Sequence, residues 1–173
     1  MRDIADAADL SPANLYHYFR GKDEILFYCQ DRALDRLIGA VAAARKTPAS
    51  HEARLRQVLA AHVRTLLDEI DGASAHVQIE SLSPPLRAKI VAKRDRYERA
   101  VRRMVDEGVR AGEFVAPDSA VLTRAMLGAL NWTVTWYRPE GPQATDALAS
   151  SLSTYLVRGV TLKPAPPRRL HAV

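Results

Sequence analysis

The sequence predicts an all-α protein, and three observations carry that expectation. Apolar residues recur at helical spacing along most of the chain, strand-like alternation never persists, and Pro, Gly and Ser punctuation falls between the periodic stretches. With 47% hydrophobic and 26% charged residues over 173 positions, the composition is that of an ordinary globular protein, not a disordered or fibrous chain. No window approaches the roughly 18 to 20 unbroken apolar residues of a membrane span, and the N-terminus lacks the basic-then-apolar layout of a signal peptide. The expectation is a cytoplasmic protein with no membrane partner. Cys29, the one cysteine, has no partner for a disulfide or a thiolate zinc site and reads as a small packing residue.

The chain opens with Arg2-Asp3-Ile4-Ala5-Asp6-Ala7-Ala8, then Asp9-Leu10, then Ser11-Pro12-Ala13-Asn14-Leu15-Tyr16-His17-Tyr18-Phe19. A short helix, a tight turn and a second short helix fit it best. Ile4, Ala7 and Ala8 line one face of the first helix, Leu15 and Phe19 one face of the second, and Leu10 plugs the turn, which is helix-turn-helix packing. Ser11 is a natural N-cap with Pro12 at the first helical position, so the free backbone N–H groups there are placed to meet a phosphate. The residues left outward suit a nucleic acid. Asn14 pairs with a base edge or phosphate, Tyr16 and Tyr18 carry hydroxyls on rigid rings, His17 offers a flat donor or acceptor, and Lys22 follows as a point charge opening the next helix. The net charge of +5 permits a polyanionic partner without requiring one, because Met1 to Asp23 holds one more acid than base. The competing interpretation makes Tyr16, Tyr18 and Phe19 a core patch with a solvated lysine behind it, but such a patch needs no cap, turn and lysine in register.

Downstream, Thr47-Pro48 and Ser50 open a helix in which Leu55, Val58, Leu59, His62, Val63, Leu66, Leu67 and Ile70 form one broad stripe, stopped by Asp71-Gly72. Ser83-Pro84-Pro85 opens a long helix to about Arg110, ended by Ala111-Gly112. Its apolar face is Ile90, Tyr97, Val101, Met104, Val105 and Gly108; its basic residues Arg87, Lys89, Lys93, Arg94, Arg96, Arg99, Arg102, Arg103 and Arg110 read as an outer basic face able to hold phosphates, or simply as a solvated one. Pro117-Asp118 opens a helix to about Tyr137, ended by Arg138-Pro139-Glu140-Gly141-Pro142, and Thr145 caps a last one to about Gly159. The Pro-rich tail from Lys163 to Val173 reads as a loose end. This divides the chain into a reader at 1–25, a helical bundle at 26–162 and a tail at 163–173.

Trp132 and Trp136 lie one turn apart with Asn131 beside them, giving large apolar walls and one polar anchor suited to an amphipathic ligand; core filling is their other role. The candidate ligand-binding residues are His62, Leu66, Tyr97, Met104, Asn131, Trp132 and Trp136. His62 and His51 read as satisfied structural histidines. No third ligand stands at tight spacing, so neither a metal nor a cofactor is expected. Nor does any nucleophile, base and orienting acid stand at meaningful spacing, which argues against an enzyme.

The run Arg2-Asp3-Ile4-Ala5, then Ser11, Leu15-Tyr16-His17-Tyr18-Phe19 and Lys22-Asp23-Glu24-Ile25-Leu26, resembles the helix-turn-helix signature of the TetR (tetracycline repressor) family, with correct spacing throughout. The resemblance implies that Tyr16, Tyr18 and Lys22 hold phosphates, that Ser11, Pro12, Asn14 and His17 lie at the major-groove floor, and that Arg2 belongs to the same DNA-binding set. It further implies a ligand pocket in the helices after the reader and a dimer seam from the last two long helices. Leu122, Ala125, Met126, Ala129, Trp132 and Trp136 offer one stripe for that seam, and Leu148, Leu152, Tyr155, Leu156, Gly159 and Val160 the other, with Gly128 and the alanines permitting close approach; an intramolecular core is the alternative. The segment Asn131 to Pro142 resembles a subgroup that regulates fatty-acid or steroid breakdown and senses acyl-CoA thioesters. The implied function is a homodimeric repressor released from a palindromic double-stranded DNA operator by a small-molecule effector of that kind. One departure stands out. In the family a further helix, often with a basic arm, precedes this motif, whereas Met1 stands where the second helix begins. The head then lacks a wall, at a cost of a few kcal/mol for each well-buried side chain uncovered. That departure leaves a second reading open, a dimerising ligand-binding module without DNA activity.

Overall fold

The computed structural model describes residues 11–67, 79–141 and 143–161, the side chains of Pro12 and Leu15 excepted. The expectations for Arg2, Ile4, Ala7, Ala8 and Leu10, for Ile70 and the Asp71-Gly72 stop, for Pro142 and for the tail lie outside the described residues, as does the packing of Pro12 and Leu15. Within them the chain forms α1 (Pro12–Tyr18), α2 (Lys22–Lys46), α3 (His51–Leu67), a 3₁₀ turn (Ile79–Ser81), α4 (Pro84–Arg110), α5 (Ser119–Asn131), α6 (Thr133–Trp136) and α7 (Thr145–Arg158). The all-α expectation holds: among the described residues the β pairing is confined to an isolated bridge between Phe114 and Thr161.

Local chemistry sets the ends. Ser11 Oγ accepts the Asn14 N–H at 3.1 Å and Ser50 Oγ the Ala53 N–H at 3.1 Å. Asp118 Oδ1 accepts from both Ala120 and Val121, at 2.9 and 3.0 Å. Each bond satisfies a first-turn donor that the helix itself cannot reach. Pro84 and Pro85 start α4 behind Ser83, and α4 stops where Gly112 turns with φ of 72°, a conformation glycine adopts without steric cost.

Two boundaries differ from expectation. The helix from Asp118 stops at Asn131 instead of Tyr137, and α6 resumes one residue later. Thr133 Oγ1 donates to the Leu130 carbonyl at 2.7 Å and Thr135 Oγ1 to the Trp132 carbonyl at 2.7 Å, so hydroxyls compete for the carbonyls that a continuous helix would use. Thr145 is not the cap of α7: Ala144 holds that position, and the Thr145 hydroxyl meets Tyr137 Oη at 3.0 Å.

α3 is the hub of the bundle. Leu55, Val58, Leu59 and Val63 are wholly buried, with α2 and α4 packed on it and on each other, and α7 laid along it. α4 contributes Ile90, Tyr97, Val101, Met104 and Val105 to this core, α5 adds Met126 and Leu130, and α7 adds Leu148, Ala149 and Val157. Each such aliphatic side chain removed from water contributes roughly 1.5 to 3 kcal/mol. Beyond α4 the chain doubles back, placing the buried Phe114 ring against Gly108. A Cβ there would lie 2.1 Å from the ring, which is why a glycine occupies the apolar face of a helix.

The expected dimer stripes divide. Met126, Leu148 and Val160 are buried within the chain and Leu122, Leu152 and Leu156 partly so, whereas Ala125, Gly128, Ala129, Trp132, Trp136 and Tyr155 are exposed. A helix on the outside of a bundle can carry two apolar arcs; here the inner arc serves the intramolecular core and the outer remains open.

Candidate functional site

The reader end is built on α1. Ser11, Asn14, Tyr16, His17 and Tyr18 are exposed, as is Lys22 at the first position of α2. Tyr16 is 53% and Tyr18 68% exposed, so the competing core-patch interpretation fails for these two rings. Phe19, half-buried, is the aromatic that packs, its ring 5.6 Å from Tyr28 on α2. His17 and Tyr18 meet edge to face at 5.2 Å. The link into α2 is fixed by Glu24, whose Oε2 accepts the Arg20 N–H at 2.8 Å, while extended Gly21 takes the N-cap place. Arg20 is itself exposed and adds a cation between Tyr18 and Lys22 that sequence reasoning passed over; its type and place in the link were the available signal.

α2 runs unbroken from this link past a cavity of about 390 Å³, within the usual range for small-molecule sites. Leu34 and Leu37 of α2, Leu66 of α3 and Leu127 of α5 supply apolar walls. His62 of α3, Arg94, Asp95, Tyr97 and Glu98 of α4 and Asn131 of α5 supply the polar groups. His62 Nδ1 lies 3.0 Å from Tyr97 Oη and its Nε2 3.0 Å from Asn131 Oδ1, so one buried imidazole ties three helices together at the cavity wall. Burial pushes the Tyr97 phenol well above its ordinary value. Burial likewise lowers the Arg94 guanidinium, whose Nη2 donates to Gln30 Oε1 on α2 at 3.2 Å.

Of the sequence-predicted ligand residues, His62, Leu66, Tyr97 and Asn131 come together here; Met104, Trp132 and Trp136 do not line the cavity. Met104 lies two turns beyond Tyr97 on the same stripe, inside the core. Trp132 follows Asn131 where α5 ends, about 100° further round the axis, which turns it outward; it is 66% exposed. Trp136, on the short α6 that the break creates, is also exposed. Leu34, Leu37, Asp95, Glu98 and Leu127 went unread, because nothing local marks which part of a helix will face a void. The nine basic residues of α4 do not share one outer face either. Arg94 faces the cavity, and Lys93, largely shielded, reaches α2 with Nζ 3.0 Å from the Asp31 carbonyl, 2.5 Å from Asp31 Oδ1 and 2.8 Å from Asp35 Oδ1. Arg96, Arg99, Arg103 and Arg110 remain exposed and form no ion pair among the described residues.

His51 sits apart from the cavity, its Nδ1 2.8 Å from Glu113 Oε1, while Glu113 Oε2 accepts the Glu52 N–H at 3.1 Å. These bonds hold the Glu113 carboxyl below its ordinary range and place an anion at the positive end of α3. Both histidines thus have ordinary protein partners.

No helix among the described residues is long and apolar enough to cross a membrane. Residues 48–160 match the family described as Tetracyclin repressor-like, C-terminal domain, and residues 1–29 match Bacterial regulatory proteins, tetR family. The HTH-type transcriptional repressor KstR2 of Mycolicibacterium smegmatis is 27% identical over 169 residues, covering 93% of this chain and 80% of that protein. The structure of the TetR family regulator PfmR from Thermus thermophilus superposes with a TM-score of 0.80 at 36% identity, covering 91% of this chain and 86% of that one. AibR, crystallised with isovaleryl coenzyme A and operator DNA, shares the fold with a TM-score of 0.70 at 22% identity, covering 90% of this chain and 85% of its own. The two family matches, over residues 1–29 and 48–160, and the 36% identity to PfmR make this chain a member of the TetR family of bacterial transcriptional regulators.

Proposed function

We propose that the protein is a cytoplasmic, homodimeric repressor that binds a palindromic operator and is released by an amphipathic small molecule of the acyl-CoA thioester class. Residues 1–25 form the reader and 26–162 the sensor. The observation that carries the reading is the exposed set of Ser11, Asn14, Tyr16, His17, Tyr18 and Lys22 at one end of a helix whose middle walls the cavity. Tyr16, Tyr18 and Lys22 are assigned to phosphates; Ser11, Pro12, Asn14 and His17, with Arg2, complete the DNA-facing set. The repressor name of the KstR2 relative and the isovaleryl coenzyme A and operator held by AibR support the choice of partners. So does the cavity, whose leucine walls suit an acyl chain, while exposed Arg96, Arg99 and Arg103 offer charge to phosphates outside it.

Dimerisation rests on the open arc of Ala125, Gly128, Ala129 and Trp132 on α5, with Trp136 of α6 and Tyr155 of α7 exposed as well. Two readers held about 34 to 36 Å apart would meet successive major grooves. Effector acts by preferring a conformer with another separation, and a few kcal/mol of differential affinity suffices. The test uses duplexes selected by the protein from a random pool. Lys22→Ala should weaken binding to all of them and reduce the salt slope by about one, while Asn14→Ala should alter which sequences are preferred. Wild-type behaviour of both variants in a salt titration would refute the reader assignment.

A further inference from the structure

We infer that the cavity selects effectors bearing an uncharged carbonyl oxygen, which the Asn131 amide receives as a hydrogen-bond donor because His62 and Tyr97 hold that amide in one orientation. The inference deepens the effector reading above and rests on it.

Proton accounting along the buried chain carries the argument. The Tyr97 hydroxyl, on a side chain that is 3% exposed, has His62 Nδ1 as its one partner among the described residues, at 3.0 Å. Its burial keeps the phenol protonated, and that proton is satisfied only if Nδ1 accepts it. The imidazole hydrogen then sits on Nε2. A donor at Nε2, 3.0 Å from the Asn131 side chain, requires an oxygen there, which is the Oδ1 placed at that contact. The opposite amide orientation would put a donor against Nε2, move the ring hydrogen to Nδ1 and leave the buried phenol proton with no acceptor. What remains of Asn131 is its N–H₂, on a residue that lines the cavity, with no protein acceptor among the described residues. Each bond in the series Tyr97, His62, Asn131 also polarises the next, which strengthens the terminal donor.

The charges around the cavity decide between a neutral and an anionic acceptor. Asp95 and Glu98 line it with Arg94, and Arg94 already donates to Gln30. Glu98 meets Arg102 at 4.0 Å, the outer limit of an ion pair, and Asp95 forms none among the described residues, so the carboxylates disfavour a carboxylate or phosphate entering the cavity but leave a neutral carbonyl unpenalised. Leu34, Leu37, Leu66 and Leu127 then accept the chain that such a carbonyl carries. For an acyl thioester, the group read by Asn131 is the thioester carbonyl. His62 and Tyr97 are positioning residues that act through it.

The experiment measures calorimetric affinities for two matched pairs differing by that one oxygen: octanoyl coenzyme A against S-octyl coenzyme A, and S-ethyl octanethioate against ethyl octyl sulfide. Wild type should bind the thioester of a pair about five- to tenfold more tightly than the thioether. Asn131→Ala should bring the ratio near unity, and so should His62→Gln and His62→Phe, with Tyr97→Phe lowering it. The two His62 variants cover the chance that one fails to fold, checked by circular dichroism. Selectivity in the small pair with no gain from coenzyme A would sustain the carbonyl inference while rejecting the acyl-CoA reading. An equal affinity within both pairs, failure of both thioesters to bind, or an unchanged ratio in folded Asn131→Ala protein would overturn it. Equal loss of thioester and thioether affinity in the His62 variants would reduce that residue to a structural role and overturn its part.

Discussion

Lys22 and Glu113 show how one charged side chain takes its meaning from place. Lys22 stands exposed at the start of α2, where a cation opposes the helix dipole and adds nothing to folding. Replacing it with alanine should therefore leave the thermal midpoint unchanged or slightly raised while DNA affinity falls, a pair of readings that together separate a functional lysine from a structural one. Glu113 is the converse. Its carboxyl is held below the ordinary value of 4.5 by His51, with the Glu52 N–H assisting. A depressed carboxylate contributes stability that is fully present above the unfolded value and is lost as pH falls through the folded one. The midpoint difference between wild type and Glu113→Gln should thus shrink as pH falls below the 4.5 reference. A difference independent of pH from 6 down to 3 would contradict this.

At the scale of elements, the periodic stripes on α3 and α4 were legible residue by residue, because period and burial are the same fact seen twice. Ser11, Ser50, Asp118 and Gly112 were legible for a similar reason: capping and left-handed turns are local chemistry. The break after Asn131 was not, since Thr133 and Thr135 withdraw carbonyls by hydroxyl bonds that compete only marginally with a helix and leave no pattern in an apolar stretch. The cavity was half legible. His62 and Tyr97 announce themselves as polar groups on buried stripes, whereas Leu34 or Glu98 acquire their roles only once three helices have been placed. Two substitutions test these elements. Gly108→Ala should destabilise by about 1 to 3 kcal/mol in chemical denaturation, as the Phe114 ring must move. Asp118→Ala should cost about 0.5 to 2 kcal/mol, with Asp118→Ser retaining most of the cap.

At the scale of the whole molecule, the exposed arc on α5 and the aromatic groups beyond it set an expectation for assembly. Trp132→Glu places a carboxylate on a surface that is 66% open in the single chain, so the fold should tolerate it. Sedimentation should then show a monomer with unchanged helix content, and DNA affinity should drop because two half-sites are no longer read together. A Trp132→Glu protein that still sediments as a dimer would remove this face from the interface.

The continuity of α2 has a geometric consequence. Between Leu34, at the cavity wall, and Lys22, at its tip, lie twelve helical steps, or about 18 Å of rigid rod. Tilting such a rod by about ten degrees about its Leu34 end swings the Lys22 end through about 3 Å, roughly the length of a hydrogen bond. Lys93 grips the rod at Asp31 and Asp35, within a turn of that fulcrum, and Arg94 touches it at Gln30 from the cavity itself. With Lys22 assigned to a phosphate as proposed, a molecule wedged among the leucines need shift its walls by only a fraction of its own width for the tip to leave that contact.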